Sequence, residues 1–317
     1  MEHGLTRIGT RGSALALAQT ELVVSAIKTK YPGAVIEKVI ISTKGDRETD
    51  KPISSFGDKG VFITEIEEAL SNGTIDMAVH SAKDLPGELK EGLCIPCVLP
   101  REDARDVLVT RAGNLFEDLK NKTSVITGTG SKRRQAQFLR LCNNAEFKGI
   151  RGNVDTRINK LRNGEYDGII LAAAGLKRLG LDKEKDLAYK YFDKEEIMPA
   201  GGQGIIAVEA RNEDMYGNTY TGRILRDIND SDTFIHFQNE RKIIEASGAG
   251  CNSSIGVISY FYNKDNEEFL CVNVSGGLGG LRMAGQGFRG TGRREDAASL
   301  TDMAIRYLTS LSKSPAS

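Results

Sequence analysis

Two stretches of this sequence, far apart along the chain, follow the same grammar. Residues Thr6–Ser13 form a short apolar strand that meets a Gly/Ser turn. Ala14 to Thr29 then reads as a helix with Leu15, Ala18, Leu22 and Ala26 near one face. Ser124–Ser131 repeats the strand and turn, and a helix starts at Lys132. The likeness continues: Ile63–Gly73 is a helix closed by Asn-Gly, followed by the strand Ile75–Val79. Its counterpart is Thr156–Gly164 followed by Tyr166–Leu171. Pairing Ser13 with Ser131 and Asp76 with Asp167 leaves the first copy about 27 residues longer, mostly in the polar stretch Gly45–Gly60. Two related α/β domains are expected, the first with an inserted loop.

A chain of 317 residues has room for about two or three domains. The strand-like Ile205–Glu209 is expected to return to the first domain. Beyond about residue 220 a helix around 234–246, alternating strands such as Phe269–Val274 and a final helix from Arg294 to Leu311 point to a small α+β domain. The expected division is 1–103, completed by about 200–220, then 104–199, then 221–317.

Lysine and arginine together number 43, as do aspartate and glutamate, which argues against a nucleic-acid binder. No apolar run approaches the roughly 18 residues of a membrane helix, and the first residues do not read as a signal peptide. Five cysteines in a chain of this size fit reduced, cytosolic thiols better than a disulfide framework.

The turns carry the chemistry. Arg11, Arg133, Arg134, Arg151 and Arg157 fall in turns or at helix starts, where unpaired N–H groups and the guanidinium fork both suit carboxylates. A lone arginine is usually a solvated charge; recurrence in both copies favours a polyanionic small molecule in a cleft lined by these turns. Gly128–Ser131 lacks the lysine of a P-loop and the full dinucleotide fingerprint. Cys94 and Cys97 form a CxxC without a second pair or a nearby histidine, inside an apolar strand, and read as buried structural thiols. His80, Ser81 and Asp84 lie too close along one segment for a hydrolase relay, and no nucleophile elbow is present. Asp84 instead leaves the C-terminal end of a buried strand, where α/β sheets place ligands. Cys251 lies in the loop Ser247–Ser254 and reads equally as a plain loop thiol or a chemical one.

Several segments, in order, resemble the porphobilinogen deaminase (hydroxymethylbilane synthase) family: Arg7–Gln19, Lys59–Phe62, Ala78–Pro86, Arg101–Asp106, Gly128–Gln135, Arg151–Arg157, Leu171–Gly180 and Pro199–Gly204. The resemblance covers about residues 5 to 256. It implies two similar type II periplasmic-binding-protein-like α/β domains and a small α+β C-terminal domain. It implies a dipyrromethane cofactor joined by thioether to Cys251, with Asp84 as the catalytic carboxylate. Lys83, Asp84, Arg133, Arg134, Ser131, Thr129, Arg157 and Ser81 match cofactor contacts. Arg11, Ser13, Arg151, Arg178, Lys59 and Gln19 match substrate contacts, Lys59 within a lid-like loop. The implied reaction condenses four porphobilinogen molecules head to tail into hydroxymethylbilane with loss of ammonia, in a cytoplasmic monomer without metal. The chain departs from the family pattern at Ala249, at Asn252–Ser254, at Gly130 where a serine is common, and in Gly276–Gly292. A non-catalytic anion-binding module of the periplasmic type is the alternative, and it leaves Asp84 and Cys251 without a role.

Overall fold

The computed structural model describes residues 4–43, 63–248, 254–276 and 287–313. The inserted 45–60 loop, Lys59, Cys251 and most of the 276–292 stretch therefore lie outside the described residues. The chain separates into two compact units, Met1–Glu102 with Gly204–Phe234, and Asp103–Gln203 with Ile235–Ser317.

The first unit is built on a five-stranded sheet. Its strands are β1 (Leu5–Thr10), β2 (Val35–Ile40), β3 (Met77–Ser81), β4 (Leu93–Val98) and β10 (Ile206–Arg211), in the order β2-β1-β3-β10-β4. β1 runs parallel to β2 and β3, whereas β10 is antiparallel to β3 and β4. The return of the chain expected at Ile205–Glu209 is this strand. Helices α1 (Ala14–Lys30) and α2 (Thr64–Ser71) connect the strands. Residues 221–228, expected in the third domain, instead belong here as part of helix α7 (Tyr220–Ile228). The reason is its apolar face: Ile224 and Leu225, both fully buried, join Ile8, Val23 and Cys97 in one core, at about 1.5–3 kcal/mol for each buried side chain. A change of composition marks where a segment starts but not which core receives its apolar face.

The 103–203 part of the second unit repeats the first. Its strands are β5 (Asp106–Arg111), β6 (Val125–Gly128), β7 (Ala145–Lys148), β8 (Gly168–Ala172) and β9 (Leu187–Tyr191), in the order β7-β6-β8-β5-β9. β6 is parallel to β7 and β8, and β5 is antiparallel to β8 and β9. Position for position this is the order and sense of the first sheet. Helices α3 (Phe116–Lys120), α4 (Lys132–Phe138), α5 (Val154–Arg162) and α6 (Ala173–Arg178) complete it.

The likeness extends to single hydrogen bonds. Ser13 caps α1 by accepting from Ala16 N at 3.3 Å, and Ser131 caps α4 by accepting from Arg134 N at 3.4 Å. Asp76 brackets Arg7, accepting its N–H at 2.8 Å and donating its own N–H to Arg7 O at 2.8 Å. Asp167 does the same to Ile126 at the same distances. Arg211 Nη1 ties Leu70 O and Ile75 O at 3.1 and 3.0 Å, and Arg111 Nη1 ties Leu161 O and Tyr166 O at 2.7 and 3.0 Å. These staples close the end of each helix that precedes β3 or β8.

Helix α8 (Ser231–Ala246) leads to an antiparallel three-stranded sheet of β11 (Gly256–Lys264), β12 (Glu267–Ser275) and β13 (Gly287–Gly292), with α9 (Ala297–Lys313) against it. Asp265 and Asn266 turn the first hairpin at φ 54° and 64°, as a two-residue loop of this type requires. Ile243, Val257, Leu270, Val272 and Leu300 form its core. Two similar α/β sheets and a small α+β part are thus present, as the family resemblance implies.

Candidate active site

In the first unit the expected residues that are described lie at the C-terminal edge of the parallel strands or on the helix beside it. β1 and β3 are neighbours, so the turns that follow them are adjacent. Arg11 and Ser13 follow β1, and Lys83 and Asp84 sit in a single 3-10 turn directly after β3. Gln19, buried on α1, donates through Nε2 to Ser81 Oγ at 2.8 Å, which ties the helix to the end of β3. Asp84 is exposed, while Lys83 is half-buried. His80 faces the other side of the strand, where Nε2 lies 3.0 Å from buried Glu209 Oε2. It is held there and takes no part in a relay with Ser81 or Asp84, in keeping with the sequence reading.

In the second unit the turn after β6 holds Thr129 and Ser131. Thr129 N donates to Lys148 O at 3.2 Å, which brings the end of β7 alongside, and Thr129 Oγ1 accepts from Ser131 N at 3.2 Å. Arg151 follows β7, and Arg157 on α5 donates through Nε to Gly152 O at 2.8 Å. Arg178 is the last residue of α6, farther from the strand ends.

Arg133 and Arg134 are both buried, at 4% and 8% exposure, so the reading of solvated charges fails for them. They close on one carboxylate. Arg133 Nη1 donates to Asp106 Oδ2 at 2.6 Å and to Met198 O at 2.6 Å. Arg134 donates to Asp106 Oδ1 through Nε at 3.1 Å and Nη2 at 2.7 Å, and through Nη1 to Ile170 O at 2.8 Å. Burial alone would raise the Asp106 carboxyl, but the charges of Arg133 and Arg134 hold it far below the ordinary carboxylate range. Two guanidiniums against one carboxylate leave a surplus positive charge in a buried place, and burying an uncompensated charge is costly. A group bearing carboxylates fits that surplus.

Arg11 and the pair Arg133–Arg134 were expected in corresponding turns. The matching Asp76 and Asp167 brackets align Arg7 with Ile126, which makes the second turn one residue shorter. Arg11 precedes its capping serine, whereas Arg133 and Arg134 follow theirs inside the helix. Asp106 went unassigned in the sequence, although a charged residue opening the apolar strand Asp106–Val109 needs a buried partner.

The described cysteines are all buried and free: Cys94, Cys97, Cys142 and Cys271. Burial pushes the Cys94 thiol up to about 11 and Cys97 to about 12, as expected for structural thiols.

The family model for porphobilinogen deaminase, dipyromethane cofactor binding domain, matches residues 6–218. A porphobilinogen deaminase of Lachnospira eligens is 43% identical over 272 residues, 85% of this chain and 88% of that protein. The chain belongs to the porphobilinogen deaminase family. Within it, a porphobilinogen deaminase of Roseiflexus castenholzii is 39% identical over 285 residues, 90% of each chain. A probable porphobilinogen deaminase of Archaeoglobus fulgidus is 42% identical over 252 residues, 79% of this chain and 82% of its own. Among solved structures, the BenM effector binding domain with its effector benzoate covers 71% of this chain and 90% of its own at 16% identity, with a TM-score of 0.43. Family membership implies a dipyrromethane cofactor, and the surplus charge at Arg133 and Arg134 suits its acidic side chains. Among the described residues no helix is long and apolar enough to cross a membrane.

Proposed function

We propose that this chain condenses four porphobilinogen molecules head to tail into hydroxymethylbilane, releasing ammonia, on a dipyrromethane primer joined by thioether to Cys251. The observation that supports it best is the buried Arg133–Arg134 pair sharing Asp106. Such an arrangement serves a multiply carboxylated ligand, and porphobilinogen and dipyrromethane carry acetate and propionate arms. The burial of all four described cysteines supports Cys251, the thiol that the family resemblance implies, for the thioether. When bound, the dipyrromethane supplies the pyrrole carbon on which the chain is extended.

The residues then divide the work. Arg133, Arg134, Arg157, Thr129 and Ser131 hold the primer's carboxylates through charge-assisted hydrogen bonds, with Ser81 and Lys83 as further contacts. Arg11, Ser13, Gln19, Arg151, Arg178 and Lys59 hold the incoming substrate, chiefly by position. Asp84 presents a carboxylate that stabilises positive charge at a pyrrole N–H and accepts or returns its proton. As further parts of the proposal, the enzyme is a cytoplasmic monomer of three domains. Their limits follow the sequence division, except that the third begins after α7.

Intact-protein mass spectrometry tests the reading. Protein from cells that make porphobilinogen should carry one dipyrromethane adduct, lost in Cys251→Ser and kept when Cys94, Cys97, Cys142 or Cys271 is replaced. An adduct that persists in Cys251→Ser would remove the attachment site. The anion-module alternative predicts a bare wild-type chain.

A further inference from the structure

The arginine pair is one end of a longer buried chain of hydrogen bonds within the second unit. Asp106 Oδ1, besides its bonds to Arg134, accepts from Gln203 Nε2 at 3.0 Å, and the same amide donates to Ala104 O at 2.7 Å. Gln203 is 1% exposed. The N–H of the preceding residue, Gly202, donates to Glu240 Oε2 at 2.7 Å. Glu240 stands on α8, fully buried, and its Oε1 accepts from Ser259 N at 2.7 Å and Ser259 Oγ at 3.2 Å. A path of polar contacts therefore runs from β11 through α8 and the 202–203 segment to both guanidiniums. Beyond α8 the sequence reaches Cys251 within a few residues.

Two like charges side by side repel, and a carboxylate held only by them could turn between them. Three donors on Oδ1 and one on Oδ2 fix the plane of Asp106. That plane sets the direction in which each planar guanidinium faces. The fourth donor is a neutral amide, so it orients the carboxylate without changing the surplus charge. We propose that Asp106, Gln203 and Glu240 are positioning residues that hold Arg133 and Arg134 ready for the cofactor's carboxylates. This rests on the reading that those arginines grip the cofactor.

The test uses full-length apoprotein from cells that cannot make porphobilinogen. Porphobilinogen is added, and the rate of adduct formation is followed by intact mass. Gln203→Met keeps the length of the side chain and removes its donors, and should slow assembly about tenfold. In an Asp106→Asn background the same change should slow it less than about twofold, because both act through one carboxylate. Glu240→Gln should slow assembly to a smaller degree. A wild-type rate for Gln203→Met while the lysine variants of Arg133 and Arg134 assemble slowly, or two effects that multiply independently, overturns the proposal. Arg133→Lys and Arg134→Lys run in parallel test the underlying reading. Coupling between Gln203→Met and Asp106→Asn in urea unfolding separates the two ideas. Coupled unfolding with normal assembly of the lysine variants upholds the positioning chain and overturns only the arginine reading; additive unfolding overturns the chain whatever the arginines do.

Discussion

Laid strand on strand, the two α/β sheets agree wherever the backbone needs a partner and part wherever a charge is buried. The serine caps, the Asn-Gly helix ends, the aspartate brackets at Asp76 and Asp167 and the arginine staples at Arg211 and Arg111 occur in both. The ladders set the remaining equivalences, since Ile206 faces Ser81 in the first sheet as Asp106 faces Ala172 in the second. Where the second sheet buries Asp106, Arg133 and Arg134, the first has Ile206, Leu15 and Ala16. Where the first presents Lys83 and Asp84, the second has Ala174 and Gly175. The buried pair His80–Glu209 of the first is replaced by Leu171 and Val109. One scaffold thus carries two arrangements of charge: an exposed carboxylate on the first copy and a buried cluster of two arginines and an aspartate on the second.

The largest expected effect breaks the comparison on the first copy. Asp84→Asn keeps the size of the side chain and removes its charge, and should lower the rate of hydroxymethylbilane formation on the order of 100- to 1,000-fold. The adduct mass should be unchanged. Asp84→Glu keeps the charge one methylene away and should retain partial activity. A wild-type turnover rate for cofactor-loaded Asp84→Asn would mean that the first copy does not hold the catalytic carboxylate.

The next effect tests the second copy by writing the first copy's residues into it. A triple variant, Asp106→Ile with Arg133→Leu and Arg134→Ala, replaces a buried ion cluster by apolar side chains. Such replacements are often neutral or stabilising, within about 1–4 kcal/mol, so the protein should fold and unfold cooperatively yet carry no adduct. Arg134→Ala alone should be worse for stability, because Asp106 then loses charge-assisted bonds worth about 1.5–3 kcal/mol each. Mass spectrometry and urea unfolding read the two outcomes. An adduct at wild-type occupancy in the triple variant would detach the grip from these residues.

The contrast also explains what was legible in the sequence. Features that the backbone imposes can be read from residue types, because few residues can cap a helix or leave it with positive φ. Ser13, Ser131, Asn72-Gly73 and Asn163-Gly164 therefore revealed the repeat. The staples by Arg111 and Arg211 did not, since an arginine closing a strand looks like any surface charge. Asp106 was visible only as part of a motif; its partners lie 27 and 28 residues away, and no local period links them. The segment Ser81–Asp84, which carries the proposed catalytic carboxylate, was singled out in the sequence by its place after a buried strand. Residues 221–228 of helix α7 fell beyond the expected boundary because a change of composition does not show which core receives an apolar face.

The smallest effect sharpens the comparison where the copies should behave alike. Gly73 and Gly164 end α2 and α5 at φ 74° and 80°. A Cβ at Gly73 would meet nothing within 4 Å, and one at Gly164 would meet only Arg111 Nη1, at 4.0 Å. Steric clash with neighbours is therefore absent at both, and what remains is the strain of a left-handed residue, about 1–2 kcal/mol for an L-amino acid. Gly73→Ala and Gly164→Ala should thus lower unfolding stability by nearly the same amount, with adduct and turnover unchanged. Asn in either place, which tolerates this conformation better, should recover part of the loss. If one alanine variant costs several times the other, the two helix ends are not equivalent, and the repeat would extend to the strands but not to the turns that join them.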